Sequence, residues 1–273
     1  MSITADMPLL TSGLVVGYTG HGLNRPFTAE VGRGGFVALL GANGSGKSTL
    51  LRTLAGSQPP VAGRVDVAGR DISGFTPAEL ARYIAVVTTD RVEADALTVR
   101  EVVEMGRYPY TGFFGRLDGS DRRIVDEAMA FTGVAPMAAR FVASLSDGER
   151  QKVMIARALA QDTPLMLLDE PTSFLDVASR IEVLSLLARL ARERRKAVVL
   201  STHDVSSALG HASALWLMMP DGKIVATTPA EALASHEAFL TDGGCFSPLD
   251  GLFAARGIAF DGVRLDYRST ETP

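Results

Sequence analysis

Gly41-Ala42-Asn43-Gly44-Ser45-Gly46-Lys47-Ser48-Thr49 stands between an apolar strand pattern at 36–40 and a helical run, Leu50-Leu51-Arg52-Thr53-Leu54-Ala55. Strand, glycine-rich loop and helix in that order are the context in which G-x-x-x-x-G-K-S/T binds phosphate. Its glycines permit backbone turns that aim successive N–H groups at a phosphate chain, and the helix amino terminus adds partial positive charge. Gly41, Asn43, Gly44, Ser45, Gly46, Lys47, Ser48 and Thr49 are therefore the expected nucleotide-binding loop. Lys47 would reach the β- and γ-phosphates, and the Ser48 hydroxyl would ligate Mg²⁺.

Further along, Leu165-Met166-Leu167-Leu168-Asp169-Glu170 is an apolar strand ending in two carboxylates. The carboxyl ends of buried strands form the crevice where α/β sheets bind ligands. Asp169 is the expected partner of Mg²⁺, directly or through water, and Glu170 the base that orients and deprotonates an attacking water.

The rest of the chain supports an α/β architecture. Strand patterns at 14–18, 36–40, 65–67, 84–87, 165–168, 198–201, 215–218 and 223–226 alternate with helical ones, as around a mostly parallel sheet. Little alternation at 165–168 and 198–201 marks strands buried on both faces. Thr76/Glu79, Thr98/Glu101, Ser146/Glu149 and Thr228/Glu231 have the capping-box spacing of helix starts, twice with proline at the first helical position. A helix over about 179–195 is expected to bury Ile181, Leu184, Leu187, Ala188 and Ala191 on one face. Between 89 and 161 the pattern turns helical, which reads as a helical insertion. After Pro229 there is one helix start and then weakly patterned sequence.

Composition narrows the class. With 27 basic and 31 acidic residues the net charge is −4, so nothing global marks a binder of nucleic acid or anionic membrane. The single cysteine, Cys245, cannot form an internal disulfide and suits a reducing compartment. No apolar run reaches the roughly 18 to 20 residues of a membrane helix, and the amino terminus does not read as a secretory signal. A hydrophobic share of 47% is that of a packed globular protein rather than a disordered one.

Leu145-Ser146-Asp147-Gly148-Glu149 before the helical run 150–160 resembles the LSGGQ signature of ABC ATPases, with Asp147 for glycine and Glu149 for glutamine. With the phosphate loop and the acid pair, this identifies a resemblance to the ATP-binding subunits of ABC transporters that extends to about residue 226. The resemblance implies a P-loop ABC ATPase core with a mostly parallel sheet, an antiparallel β subdomain and a helical insertion. It implies an ABC ATPase domain at 1–228, comprising a core at about 1–88 and 162–228 and a helical subdomain at about 89–161, followed by an extension at 229–273. ATP and Mg²⁺ are the implied ligands.

The same resemblance makes Tyr18 the ring that stacks on adenine and His203 the switch histidine that holds Glu170 and water near the γ-phosphate. It makes Asp176 the residue that couples two sites across a homodimer. Ser146, Asp147, Gly148 and Glu149 would face the γ-phosphate of ATP held by the partner subunit. Thr89 falls where the family places a Q-loop glutamine, and whether Thr89, Asp90 or a bridging water meets the metal is open.

Thr98-Val99-Arg100-Glu101-Val102-Val103-Glu104-Met105-Gly106-Arg107-Tyr108-Pro109-Tyr110 looks like a segment of importers for iron chelates, haem and cobalamin. The aromatic residues in and just after it, Tyr108, Tyr110, Phe113 and Phe114, also suit a core. The resemblance implies an ATPase at the cytoplasmic face of an inner membrane, powering uptake of an iron–siderophore or related chelate. Its partners would be integral permease subunits and an external substrate-binding protein, with no nucleic acid. A soluble ABC ATPase acting on DNA or ribosomes is the alternative, disfavoured because the chain has neither a long coiled-coil insertion nor two ATPase halves. A small-molecule kinase would need neither signature helix nor switch histidine.

Overall fold

The computed structural model describes residues 7–88, 96–112 and 115–234, together with short strands at 258–260 and 265–267. The chain opens with β1 (Leu9–Val15), a small hairpin of β2 (Gly17–Tyr18) and β3 (His21–Gly22), then β4 (Phe27–Val31), β5 (Phe36–Gly41) and α1 (Lys47–Leu54). β6 (Ala62–Val67), β7 (Arg70–Asp71), α2 (Pro77–Leu80) and β8 (Ile84–Val87) follow. Next come three helices, α3 (Val99–Glu104), α4 (Gly119–Thr132) and α5 (Asp147–Ala160). Strands and helices then alternate through β9 (Leu165–Leu168), α6 (Val177–Arg194), β10 (Ala197–Thr202), α7 (Val205–His211), β11 (Ala214–Met218) and β12 (Ile224–Thr227). β13 (Ile258–Phe260) and β14 (Leu265–Tyr267) pair antiparallel, an element that the weak patterning after Pro229 does not announce.

The central sheet has strand order β12-β11-β5-β10-β9-β8, parallel except for the antiparallel edge strand β12. A second, antiparallel sheet has the order β4-β1-β6-β7. Because side chains alternate along a strand, the central sheet feeds two separate cores. Val37, Leu39, Leu167, Val199 and Trp216 point to the side holding α1 and the antiparallel sheet. Ala38, Leu40, Leu168, Val198 and Leu200 point to the side holding α5 and α6. Leu50 and Leu54 of α1 are wholly buried, each such leucine contributing roughly 1.5–3 kcal/mol. That burial fixes the helix whose first turn carries Lys47. Trp216 meets Phe27 edge-on, with ring centroids 5.1 Å apart, and so joins the two sheets.

All four expected capping boxes form. Thr76, Thr98 and Ser146 each exchange bonds with a glutamate three residues on, and Thr228 N donates to Glu231 Oε2 at 3.0 Å while Glu231 N donates to Thr228 Oγ1 at 3.2 Å. Asp118 and Asp121 form a further box at α4. The helix expected from 179 begins at Val177 under an Asp176 cap, and its buried face departs from expectation. Val183, Leu184, Leu186, Leu187, Leu190 and Ala191 are buried, whereas Ile181 is 49% exposed and Ala188 only partly covered. The first turns of α6, with Val177 70% exposed, project past the neighbours that cover its later turns.

The Thr98–Tyr110 stretch is structural throughout its Gly-Arg portion. A Cβ on Gly106 would stand 2.2 Å from the Arg157 carbonyl oxygen. Arg107 is buried, donates to Asp121 Oδ1 at 2.9 Å and to the Ala160 carbonyl at 2.8 Å, and lies 4.0 Å from the Tyr110 ring centroid. The turn after α3 is thereby tied to α4 and to the carboxyl end of α5. Phe113, Phe114 and Cys245 lie outside the described residues.

Candidate nucleotide site

Strand β5 is buried at every position and delivers the glycine-rich loop to the carboxyl edge of the sheet. Gly44 and Gly46 take left-handed conformations, φ 78° and 102°, which side chains with a Cβ rarely adopt. Gly46 is the N-cap of α1 and supplies no side-chain cap, so the first-turn N–H groups face the loop. Gly41 has a different constraint: a Cβ there would lie 2.6 Å from Ser45 Oγ. Asn43 and Gly44 are exposed at the loop's crest, and Ser48 is half-buried behind Lys47.

Lys47 is 5% exposed, and its Nζ donates to the carbonyls of Gly41 at 2.9 Å and Ala42 at 3.1 Å. Ser45 Oγ is buried with no hydrogen-bond partner. A buried hydroxyl left in this way costs free energy unless a ligand completes it. The orphan hydroxyl, the N–H cradle and the ammonium fit the phosphates of a nucleotide. The hard oxygen donors of Ser48 and Asp169 fit Mg²⁺, a cation that usually retains waters and phosphate oxygens instead of a full protein cage.

Parallel pairing aligns Leu168 of β9 with Leu200 of β10, so Asp169 and Glu170 leave the sheet beside Ser201. Ser201 Oγ donates to Asp169 Oδ1 at 2.7 Å and accepts from Glu170 N at 2.9 Å. Glu170 itself has φ 45°, a left-handed backbone that costs a residue with a side chain on the order of 1–3 kcal/mol. Its Oε2 accepts from Ser173 Oγ at 2.7 Å and lies 3.5 Å from His203 Nδ1. Its Oε1 is 4.0 Å from Lys47 Nζ. Lys47, Glu170 and His203, far apart in sequence, thus meet at one mouth.

On the Glu170 and His203 side of it opens a cavity of about 240 Å³, lined also by Ser173, Phe174, Arg180 and Asp204 among others. Arg180 donates to Asp204 Oδ2 at 3.0 Å and to the Leu175 carbonyl at 3.3 Å, joining the loop before α6 to the loop after β10. Burial pushes the Asp204 carboxyl up, but bonds from Ser207 and Arg180 outweigh it and hold the group below its ordinary value. Tyr18, half exposed on its hairpin, places its hydroxyl 3.0 Å from Thr49 Oγ1, which sets the ring beside the loop.

The signature-like residues lie on another helix. Ser146 and Asp147 are exposed and Gly148 is buried. Glu149 Oε2 accepts from Ser146 N at 2.9 Å, and Oε1 lies 3.3 Å from Arg140 NH1. The Ser146 backbone N–H chiefly, with help from Arg140, holds the Glu149 carboxyl below its ordinary value. Asp176 caps α6 by accepting from Ser179 N at 2.7 Å. Thr89 and Asp90 lie outside the described residues. Ser201, Ser173 and Arg180 are site residues that the motif reading passed over. A polar serine ending the apolar run Val198-Val199-Leu200 was the available signal for the first of them.

The ABC transporter family model matches residues 25–173, more than half of the chain. The chain belongs to the ABC transporter family as an ATP-binding subunit. An AAA-domain model also matches residues 139–208. This ABC ATPase is 38% identical over 224 residues to the ferric enterobactin transport ATP-binding protein FepC of Escherichia coli K12, with 82% of each chain covered. It is 45% identical over 218 residues to the cobalamin import ATP-binding protein BtuD of Halobacterium salinarum. That match covers 80% of this chain and 54% of the relative, so the ABC ATPase spans about half the relative's length. Among solved structures, one assigned to the metal-chelate type of ABC transporter, in an inward-facing conformation, superposes with a TM-score of 0.75 at 29% identity. It covers 91% of this chain and 89% of that one.

Proposed function

We propose that this chain is the ATP-hydrolysing subunit of an importer for an iron–siderophore or related metal chelate, working as a homodimer on permease subunits at the cytoplasmic face of the inner membrane. The observation that carries the catalytic part is the meeting of Lys47, Glu170 and His203 beside a loop whose Ser45 hydroxyl is buried without a partner. The names of the relatives carry the cargo class. No helix among the described residues is long and apolar enough to cross a membrane; in this reading the spanning part is supplied by the separate permease subunits.

In this reading Lys47 and the loop N–H groups bind the phosphates, and the Tyr18 ring holds the adenine. Ser48 and Asp169 would hold Mg²⁺, which when bound neutralises phosphate charge. Glu170 accepts the proton of the attacking water at a carboxylate oxygen, and His203 orients both. Ser146 and Gly148 complete the site of the partner subunit, and Asp176 links the two sites. The division proposed is an ATPase domain at 1–228, with its helical part at about 89–161 receiving the permease, and an extension at 229–273.

Affinity-tagged chain recovered from native membranes after cross-linking tests this. A polytopic membrane protein as the main cross-linked partner, with loss of ferric-chelate uptake on deletion, supports it. Recovery with ribosomes or DNA instead overturns it.

A further inference from the structure

The hydroxyl of Ser201 is wholly buried and makes two bonds that point in opposite chemical directions. A carboxylate only accepts and a backbone N–H only donates, so the serine proton lies on the Asp169 side and its lone pair faces Glu170 N. One side chain therefore fixes the carboxylate proposed to organise Mg²⁺ and the main chain of the proposed base. It does so where Glu170 holds φ 45° and needs a restraint to keep that conformation. The strand register places it there: Leu200 is opposite Leu168, so Ser201 is the next residue and its hydroxyl stands at the turn of the chain.

We infer that Ser201 is a positioning residue that locks Asp169 and Glu170 into one unit, so that metal binding and water activation depend on the same hydroxyl. Wholly buried and with both bonds made to Asp169 and Glu170, it acts through those two residues. The inference rests on the functional reading above, and it predicts a signature that a merely structural serine would not have. Groups that orient metal ligands are typically worth about 10- to 100-fold in metal affinity or activity.

The test uses the full chain and its Ser201→Ala and Ser201→Cys variants, with three measurements: ATPase kcat and KM, ATP affinity by calorimetry in Mg²⁺ and in EDTA, and thermal unfolding. Ser201→Ala is expected to lose about 10- to 100-fold in kcat with KM for ATP changed less than about threefold. Affinity in EDTA should be parental, while the gain in affinity that Mg²⁺ gives the parental chain should shrink. Ser201→Cys, similar in size and a weak donor, should show the same pattern with a smaller loss, and it decides the matter should the alanine variant fail to fold. Parental kcat and a parental Mg²⁺ gain in a folded variant would overturn the inference. So would losses of kcat and of EDTA affinity in equal proportion. A parental chain that neither binds nor hydrolyses ATP would instead overturn the functional reading.

Discussion

Gly148 is packed directly on Ser179: a Cβ at Gly148 would lie 2.7 Å from Ser179 Oγ and 2.9 Å from Ser179 Cβ. Ser179 is the residue whose N–H Asp176 caps. The first turns of α5 and α6, one carrying the residues proposed to meet the partner's ATP and the other capped by the residue proposed to link the two sites, are therefore in contact within one chain. Gly148→Ala gains up to about 1 kcal/mol in helix propensity and loses about 1–3 kcal/mol through overpacking. A lower urea midpoint and a reduced ATPase rate are expected. Gly148→Ala/Ser179→Gly should recover part of both, and no recovery would separate the defect from this contact.

Arg107 and Asp121 form a buried ion pair whose partners are 6% and 10% exposed. Arg107→Met removes the cation and leaves the carboxylate enclosed, which typically costs on the order of 3–5 kcal/mol. Thermal unfolding should show that loss, and Asp121→Leu on top of it should return some stability. A variant as stable as the parent would mean that the turn after α3 is held by its other contacts alone.

Much of this molecule was legible because local chemistry decides it. The phosphate loop, the acid pair after β9 and four capping boxes are short patterns whose residues satisfy each other nearby. Elements settled by distant packing were not. β4 follows Pro26 and is settled as a strand by its antiparallel pairing with β1 and by the packing of Phe27 on Trp216. Ile181 continues the helical period of α6 yet stays half exposed, because periodicity names a face and only neighbouring elements decide how far along the helix that face is covered. At the site, Lys47, Glu170 and His203 were readable singly, whereas Ser201 acquires its role only when β10 is laid beside β9.

Acid should weaken the chain through its helix caps. Glu79, Glu101 and Glu231 are held below their ordinary values chiefly by the backbone N–H groups of Thr76, Thr98 and Thr228. Folded values below unfolded ones mean that the stabilisation is complete above the ordinary carboxylate range and is lost as pH falls through the lowered values. Unfolding temperature should accordingly decline from about pH 5 downward. Glu101→Gln, which keeps an acceptor but does not titrate, should flatten that decline in a thermal melt series; an identical slope would remove the Thr98 box from the explanation.

Tyr18 holds its hydroxyl 3.0 Å from Thr49 Oγ1, and its half-exposed ring is the one proposed to stack on the base. Stacking of this kind is worth roughly 1–3 kcal/mol, so Tyr18→Ala should weaken ATP binding about tenfold or more by calorimetry. Tyr18→Phe keeps the ring and should stay closer to the parent. Equal affinities for all three would remove the adenine from this position.

The proposed activation of water rests on Glu170, which reaches Ser173 Oγ at 2.7 Å, His203 Nδ1 at 3.5 Å and Lys47 Nζ at 4.0 Å. Single-turnover hydrolysis of radiolabelled ATP by the parental chain and by Glu170→Gln tests it most directly. A fall of about 10²- to 10⁴-fold in rate, with ATP affinity kept and an ATP-dependent dimer accumulating, is the result predicted. Hydrolysis by Glu170→Gln at the parental rate would contradict it.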